Sequence, residues 1–520
     1  MTTVGFEKLN KKLLDKSMPP PKATRREWIG LAIIALPCLL YSMDLTVLNL
    51  AIPSIIADLH PTSTQLLWIV DIYGFFVAGS LITMGNLGDR FGRRKLLMIG
   101  AVVFGLASIF AAFANTPNML ILARALLGIA GATLAPSTLS LIRNMFHDEV
   151  ERTRAISIWI VSFSLGGAIG PLVGGILLEK FWWGSVFLVS LPVMVLLLLT
   201  APKLLPEYRD ENAGRVDHWS ALLSLIAILS IIYGLKQSAA YGISLSATLI
   251  VLFGLMVATI FVRRQKSLTY PLMDLRLFQN PHFNVALVIY TLSGFILFGL
   301  FVHLAQYLQL VLHLTPLIAG LWTLPWMLGF VFGSMVAPTL VQRFTPVKLM
   351  TTGLVIGAVG FAILTLLGGA HDLAIIVIGS SIFSLAMAPI FTVATEMIIG
   401  SAPPERAGSA AAMSETCGEL GGALGIAILG SLGIMLYRYL IADAFPEGMS
   451  TEVMAHAKLS FNDAVNAMQP LAEPIKSQVI AKAGEAFTRA LQFIAAIATV
   501  CSLVMAWMTL KFIKSKKTEQ

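Results

Sequence analysis

The sequence predicts an all-α polytopic membrane protein with two six-helix bundles, two helices inserted between them and both termini in the cytoplasm. Three observations predict this fold class. The 520 residues are 57% hydrophobic and only 12% charged, whereas soluble domains are about 45–50% apolar and about 25% charged. Apolar runs recur at the length of about 20 residues that a bilayer requires. Basic residues cluster between alternate runs, and one loop sequence occurs twice.

Fourteen apolar runs are predicted to cross the membrane. Their approximate limits are 29–51, 65–87, 96–114, 118–142, 154–178, 183–202, 218–236, 242–262, 283–308, 317–341, 348–368, 372–399, 407–436 and 487–510. The short loops on one side hold only Lys180 and Lys236, while the opposite loops are rich in Lys and Arg. Because basic loops face the cytoplasm, both termini are expected there. The run 407–436 is the least apolar, yet omitting it would put the basic tail outside.

An internal repeat supports two bundles. LGDRFGRRK (87–95) and LVQRFTPVK (340–348) align without a gap, and each joins the second and third helices of a six-helix set. The predicted organisation is a cytoplasmic N-terminal segment 1–28, a bundle 29–203, inserted helices with flanking loops 204–282, a bundle 283–512 with an outer loop 437–486, and a cytoplasmic tail 513–520. Repeated bundles that hold a site near the membrane midplane are a common plan of transporters.

Charge and composition argue against several function classes. The net charge of +8 is divided among short clusters between apolar runs, so nucleic acid is not an expected partner. The three cysteines all lie in apolar runs and have no metal-ligand spacing, so neither disulfides nor a metal site are expected. The sequence contains no recognisable catalytic triad and no nucleotide-binding motif, which predicts a protein that is not an enzyme and is not driven by ATP.

Five acidic residues fall inside predicted membrane helices: Asp44, Asp71, Glu396, Glu415 and Glu419. Such groups are costly in a bilayer and usually face a cavity or a partner. Glu415 and Glu419 are four residues apart, so they share one helix face and are expected to titrate as a coupled pair. We interpret the five acids as sites that exchange protons for a cation. The alternatives are a structural pair capped by Ser414, Thr416 or neighbouring helices, an inner-interface position for Glu396, and an outer-mouth position for Asp71.

The loop GNLGDRFGRRK (85–95) combines closely spaced glycines with one acid among basic residues. It resembles the signature loop of the major facilitator superfamily. That resemblance implies a conformational latch, in which the aspartate helps to close the cytoplasmic side and favours the outward-open state. The latch residues are Gly85, Asp89, Arg90, Gly92, Arg93 and Arg94. Gln342 replaces the aspartate in the second copy, so the latch is expected on one side only.

Two further segments resemble motifs of drug–proton exporters within that superfamily. In GGAIGPLVGG (166–175), Gly166, Gly170 and Gly174 are spaced four residues apart and form one smooth helix face. The proline at position 171 bends the helix. This segment resembles the antiporter motif, whose residues here are Gly166, Gly170, Pro171, Gly174 and Gly175. RALLGIAGA (124–132) resembles the arginine motif that supports proton transfer and assigns this role to Arg124. The alternative for Arg124 is a side chain that extends to the membrane surface.

The resemblance extends over the whole chain. YSMDLTVLNLAIP (41–53), PLMDLRLF (271–278) and AGSAAAMSETCGELGGALG (407–425) resemble segments of the fourteen-span drug–proton antiporters, among them the Qac/Smv-type pumps. It implies a proton-coupled antiporter in the bacterial cytoplasmic (inner) membrane. This antiporter would export diverse lipophilic cations, such as quaternary ammonium antiseptics, dyes and biguanides, by alternating access. Its expected partners are cationic amphiphilic small molecules, protons and the lipid bilayer. It would act as a monomer, without a cofactor and driven by the proton motive force.

Lipophilic cations also need apolar and aromatic walls. The predicted wall residues are Tyr73, Trp159, Phe163, Tyr307, Trp322, Trp326, Met327 and Met413; the alternative for each is ordinary packing or an interfacial belt. Segments 451–468 and 477–487 have helical periodicity, which predicts a hairpin over the outer mouth or else a loosely ordered loop. Competing functions are export of a single metabolite, lipid or siderophore, and a receptor or scaffold, which the repeated bundles with intramembrane acids disfavour.

Overall fold

The computed structural model describes residues 21–209, 217–241, 244–269, 271–314, 316–368, 372–403, 406–442, 445, 449–458, 460–469 and 475–512. Within these ranges the regular structure is entirely helical. The helices are α1 (Arg25–Leu59), α2 (Ser63–Phe91), α3 (Arg93–Ala112), α4 (Pro117–Gly131), α5 (Leu134–Met145), α6 (Glu149–Lys180), α7 (Ser185–Leu188), α8 (Ser190–Leu204), α9 (His218–Tyr241), α10 (Leu245–Ser267), α11 (Pro281–Gln306), α12 (Pro316–Arg343), α13 (Pro346–Ile363), α14 (Asp372–Gly400), α15 (Ala407–Ile441), α16 (Thr451–Ala457), α17 (Phe461–Met468) and α18 (Ile475–Phe512).

Fourteen segments in the described residues are long and apolar enough to cross a membrane. They confirm the predicted polytopic all-α protein, including the weakly apolar run that forms α15. Helices α4 and α5 together make one segment, as do α7 and α8. Residues 1–20 of the predicted N-terminal segment 1–28 and the whole predicted tail 513–520 lie outside the described residues, and α1 begins within the N-terminal segment at Arg25.

The helices begin where the sequence offers capping groups for their free backbone N–H groups. Thr24 and Glu27 form a capping box at α1, and Thr62 and Gln65 form another at α2. Asp148 caps α6 by accepting a hydrogen bond from the backbone N–H of Glu151 at 2.9 Å. These polar caps mark the places where three of the helices begin.

Two large clusters of buried apolar side chains form separate cores. One is built from residues 31–205, with three side chains added from the second half, and the other from residues 277–506. The inserted helices α9 and α10 pack against each other, and α9 also packs against α2 of the first bundle and α15 of the second. Helix α15 contacts α2, α5, α9, α11 and α18. It therefore lies where the two bundles and the inserted pair meet.

A surface ion pair ties the inserted helices together at one end. Asp217 precedes α9 and accepts hydrogen bonds from Arg264 of α10 at 2.6 and 3.0 Å. These bonds lower the pKa of Asp217 to about 2. At the other end of α9, Lys236 lies inside the helix, although the sequence suggested that it belongs to a loop.

The long loop after α15 is partly helical, as predicted, but its arrangement differs. The first predicted arm forms α16 and α17, whereas residues 477–487 belong to α18, which begins at Ile475. The predicted boundary of the last span at 487 was therefore too late, because the amphipathic stretch continues into the apolar run as one helix. The hydroxyl group of Tyr437 lies 3.1 Å from the carbonyl oxygen of Ala457 and 3.2 Å from that of Ser460, so its single proton is shared between two acceptors. These contacts attach the loop to the second bundle, and closure of the outer mouth stays a prediction.

Candidate functional site

The two glutamates of α15 are held by tyrosines from different bundles. The hydroxyl group of Tyr290 on α11 donates a hydrogen bond to Glu415 Oε1 at 3.1 Å. The hydroxyl group of Tyr41 on α1 donates to Glu419 Oε1 at 3.0 Å. Among the described residues, no Lys, Arg or His forms an ion pair with either glutamate. The pair thus joins the bundles through neutral hydroxyl groups.

Small residues of α15 bring it close enough to α11 for this contact. A Cβ atom at Gly421 would overlap the carbonyl oxygen of Thr291, and one at Gly425 would overlap that of Phe295. Glycine is therefore required for the close approach of these backbones. Thr416, one of the two predicted capping residues, donates to the Ala412 carbonyl oxygen of its own helix at 2.8 Å and so does not cap the glutamates.

Asp44 and Arg124 form an ion pair between α1 and α4. Arg124 is fully buried, and its Nε atom donates to the carbonyl oxygen of Ile69 at 3.2 Å. The alternative in which Arg124 extends to the membrane surface is therefore wrong. Its guanidinium group lies over the ring of Tyr73, 4.6 Å from the ring centroid. Asp44, predicted as a proton-coupling acid, is thus paired with the predicted proton-transfer arginine.

The ring of Tyr73 connects this ion pair to the α15 glutamates. Tyr73 is fully buried, and its hydroxyl group has no hydrogen-bond partner among the described residues. Its ring centroid lies 6.0 Å from that of Tyr41, which binds Glu419. A run of polar side chains consequently extends from Glu419 through Tyr41 and Tyr73 to Arg124.

Asp71 contacts the inserted helix α9, and its predicted position near the outer mouth stays a prediction. It forms an ion pair with Lys236 of α9. The ammonium group of Lys236 lies 5.0 Å from the ring centroid of Phe75 and also interacts electrostatically with Glu419. The indole of Trp68, which the sequence placed near Asp71, stacks on Tyr233 of α9 at 5.7 Å.

Glu396 lies close to one end of the bundle interface. It is near the last turn of α14 and forms an ion pair with Arg152 in the first turns of α6. The inner-interface position considered as the alternative for Glu396 stays a prediction. The structure therefore brings Asp44, Asp71, Glu415 and Glu419 into one neighbourhood and puts Glu396 elsewhere.

The latch segment contacts the second bundle at the same end as Glu396. Asp89 accepts hydrogen bonds from the backbone N–H and the hydroxyl group of Ser409 at 3.1 and 2.9 Å. It also forms an ion pair with Arg93, which is fully buried. A Cβ atom at Gly85 would overlap the Cβ of Ala412. Gly85, Asp89 and Arg93 thus connect α2 and α3 with the start of α15.

The other latch residues act within the first bundle. Gly92 has φ of +108°, a conformation suited to glycine, and separates α2 from α3. Arg94 donates to the carbonyl oxygens of Pro202 and Leu205 at 3.1 and 3.0 Å. The guanidinium group of Arg90 lies 5.4 Å from the ring centroid of Phe91.

The glycine stripe of α6 packs against α1. Added Cβ atoms would overlap the Leu39 carbonyl oxygen at Gly166 and the Thr46 hydroxyl oxygen at Gly170. At Gly174 the Cβ would lie 3.0 Å from Val47, while at Gly175 it would meet nothing within 4 Å. The stripe therefore fixes the position of α1, the helix that carries Tyr41 and Asp44. Pro171 lies in α6, and its side chain is outside the description.

The predicted wall residues do not form one surface. Phe163 packs against Tyr41, with ring centroids 5.6 Å apart, and Trp159 packs against Phe163 at 4.7 Å. Together with Tyr73, they adjoin the α15 glutamates through Tyr41. Trp159 is itself almost completely buried and donates to the Thr138 hydroxyl oxygen at 2.9 Å.

The remaining predicted wall residues belong to the second bundle. Tyr307 is buried in its core and donates to Asp372 Oδ2 at 2.5 Å. Trp326 packs between Phe301 and Phe383, with ring centroids 4.9 and 5.0 Å away. The packing alternative therefore describes Tyr307 and Trp326, because the contacts of both rings lie within the second bundle and away from the five predicted intramembrane acids. Of the last three predicted wall residues, Met413 is buried, and Trp322 and Met327 of α12 are half-buried.

Sequence reasoning missed Tyr41, Tyr290 and Lys236. Tyr41 had a signal, because it precedes Asp44 by three residues and so shares its helix face. Tyr290 had none, since it stands in an uninterrupted apolar run and meets Glu415 only in the folded chain. Lys236 was assigned to a loop because it follows an apolar run of sufficient length to span a membrane.

Comparison with known proteins agrees with this architecture. Residues 34–426 match the Major Facilitator Superfamily. The multidrug efflux pump LfrA of Mycolicibacterium smegmatis is 40% identical over 94% of this chain and 97% of its own length. The methyl viologen resistance protein SmvA of Salmonella typhimurium is 36% identical over 88% of this chain and 92% of its own. The puromycin resistance protein pur8 of Streptomyces alboniger is 33% identical over 80% and 84%.

Solved structures with the same fold have little sequence identity to this chain. The human organic anion transporter MFSD10 has a TM-score of 0.60 at 14% identity and covers 93% of this chain and 99% of its own. A bacterial homologue of the lysosomal transporter Spinster has a TM-score of 0.54 at 17% identity, over 95% and 100%. The fourteen apolar helices, the repeated bundles and the family match lead to one conclusion: this polytopic membrane protein belongs to the Major Facilitator Superfamily of transporters.

Proposed function

We propose that this protein is a proton-coupled antiporter that exports structurally diverse lipophilic cations. Glu415 and Glu419 take up protons when the site faces outward, and the cation leaves. They release protons when the site faces the cytoplasm, and a new cation enters. Proton and cation compete for the same negative charges, so the two movements are coupled.

The observation that carries the proposal is the pairing of the glutamates with tyrosines at the bundle junction. A phenol hydroxyl group can donate to a carboxylate or accept from a carboxylic acid, so it supports either protonation state. The guanidinium group beside Asp44 is permanently charged and has no such freedom. Glu415 and Glu419 are therefore better suited than Asp44 to exchange a proton for a cation.

The neighbouring side chains fit an organic cation better than an inorganic one. Tyr41 and Tyr290 bind the glutamates, and Tyr73 and Phe163 lie beside Tyr41. Tyrosine and phenylalanine rings attract cations through their π faces, with roughly 0.5–2 kcal/mol for each contact. Carboxylates next to aromatic rings supply both the charge and the apolar surface that a lipophilic cation requires.

The relatives support a drug exporter within this class. Their names describe a multidrug efflux pump, a methyl viologen resistance protein and a puromycin resistance protein. Methyl viologen is an organic dication, which supports a cationic substrate class for this chain. In this proposal the protein lies in the bacterial cytoplasmic membrane with both termini inside and works as a monomer. It uses the proton motive force instead of ATP, and each charge moved gains about 2.3 kcal/mol per 100 mV.

The test is cation transport by the purified protein in liposomes with an imposed pH gradient. Wild-type protein should move ethidium in a gradient-dependent way, and a protonophore should stop it. Glu415→Gln and Glu419→Gln should each reduce this transport to the level of empty liposomes, because glutamine carries neither the proton nor the charge. Glu179→Gln is the matched control, since Glu179 is exposed near the end of α6.

Transport that continues after the pH gradient collapses would contradict proton coupling. Full activity in both glutamine variants would contradict the role of the glutamate pair. A screen of several unrelated cations separates the proposal from export of one metabolite, lipid or siderophore, because a dedicated exporter would not show competition among unrelated cations.

A further inference from the structure

The junction of α2, α9 and α15 carries an aromatic cluster that the proposed exchange does not use. The rings of Trp68 and Tyr233 stack with centroids 5.7 Å apart and an interplanar angle of 7°. Phe75 presents its ring roughly perpendicular to both, at 6.0 and 6.3 Å. Leu420 and Ala423 of α15 pack against the same cluster, one turn or less from Glu419.

The ammonium group of Lys236, a side chain of the protein itself, lies in this cluster. The ammonium group of Lys236 is 5.0 Å from the ring centroid of Phe75 and forms an ion pair with Asp71. It also interacts electrostatically with Glu419. Rings and carboxylates that surround an ammonium group form the environment that recognises organic cations. Lys236 therefore stands where the charged group of such a cation would fit.

The Lys236 contact can be exchanged more readily than the other ion pair near the glutamates. The side chains of Lys236 and Asp71 are 36% and 28% exposed, whereas the side chain of Arg124 is completely buried. An ion pair whose side chains are partly exposed holds its lysine less firmly than burial holds Arg124. A ligand can therefore displace the lysine side chain without disturbing the packing of the bundle.

We propose that Asp71, Phe75, Trp68 and Tyr233 form a subsite for the charged group of an organic cation, and that Lys236 is a tethered cation which the substrate must displace. This inference rests on the proposed export function and gives the inserted helices a part in it. By occupying the subsite between transport events, Lys236 lowers the affinity for every cationic substrate. Because the Coulomb energy scales with the charge of the ligand, Lys236 opposes the binding of a dication more strongly than that of a monocation.

The test compares Lys236→Met with wild type in the liposome assay, using tetraphenylphosphonium as the monocation and methyl viologen as the dication. Removing the tethered charge should lower KM for tetraphenylphosphonium by about tenfold, and for methyl viologen by more. Lys236→Arg, which keeps the positive charge, should have a KM near that of wild type. Lys180→Met is the matched control, because Lys180 is an exposed lysine at the end of α6 and lies outside the aromatic cluster.

An unchanged or raised KM in Lys236→Met would overturn the subsite, while proton-driven transport by the same liposomes would leave the proposed function intact. If neither wild type nor variant transports a cation in response to the pH gradient, the proposed function itself fails. A second measurement applies if the methionine variant does not fold. Acetic anhydride should modify Lys236 of the wild-type protein several times faster when tetraphenylphosphonium is bound, with Lys180 as the internal reference. Equal rates with and without the cation would also overturn the proposal.

Discussion

At the scale of single residues, the partner of each intramembrane acid separates its possible roles. Asp44, Asp71 and Glu396 are paired with basic side chains, whereas Glu415 and Glu419 accept hydrogen bonds from tyrosines. A guanidinium or ammonium partner carries a fixed charge and can only donate hydrogen bonds. A hydroxyl group instead can rotate to serve the ionised or the protonated form. The two tyrosine-bound acids, Glu415 and Glu419, are consequently the best candidates for binding and releasing protons during transport.

Tyr41→Phe and Tyr290→Phe should each impair transport without abolishing it. Each change removes one hydrogen bond to a charged group, worth about 1.5–3 kcal/mol, which corresponds to a loss in kcat/KM of roughly 10- to 150-fold. The measurement is gradient-driven cation transport in liposomes. Tyr439→Phe should behave like wild type, because Tyr439 is 77% exposed. Undiminished transport in both variants would show that the tyrosine hydroxyl groups are dispensable.

At the scale of helices, two glycine seams position the acids. The stripe on α6 lets α1 approach, and the glycines of α15 let α11 approach. One member of each helix pair carries a tyrosine that reaches a glutamate, so the spacing between helices decides whether those hydrogen bonds form. Without a hydrophobic drive between helices in lipid, such close packing of small residues holds them together.

Gly166→Ala should therefore weaken the first bundle and reduce transport. The new methyl group would overlap the Leu39 carbonyl oxygen, so α1 must move, and overpacking of this kind costs roughly 1–3 kcal/mol. Thermal unfolding in detergent and liposome transport measure the two effects. Gly175→Ala is the control on the same helix, because its methyl group would meet nothing within 4 Å. Equal behaviour of the two variants would contradict the assigned role of the stripe.

The sequence predicts the helices better than it predicts which side chains contact one another. Hydropathy and loop charge identified fourteen spans because each span must satisfy the bilayer locally. The boundary of the last span was missed because α18 continues beyond its apolar run. The acids were found because charge is rare in apolar runs. Their partners were not, since Tyr41 and Glu419 are separated by 378 positions, and Asp71 and Lys236 by 165. Only the folded chain brings these side chains together.

At the scale of the whole molecule, polar contacts tie the two bundles at one end. Asp89 binds Ser409, Arg143 donates to the carbonyl oxygen of Ala402 at 3.1 Å, and Arg152 pairs with Glu396. Each contact joins a helix of the first bundle to α15, to the last turns of α14 or to the segment between them. The proposed alternating-access cycle requires that this end opens, so under that proposal the contacts break and re-form in every transport event.

Reversing the Arg152–Glu396 pair tests whether these contacts set the balance between the two states. Arg152→Glu and Glu396→Arg each put like charges together, and should shift the protein toward the form in which this end is open. The double variant restores opposite charges and should return most of the population to the closed form, which a double-mutant cycle can quantify. Spin labels at positions 95 and 348, which are exposed and occupy matching places in the two repeats, report the separation of the bundles by pulsed electron resonance in a cysteine-free background. Longer distances are expected in the single variants only. If the double variant remained as open as the single ones, the ion pair would not be the element that holds this end closed.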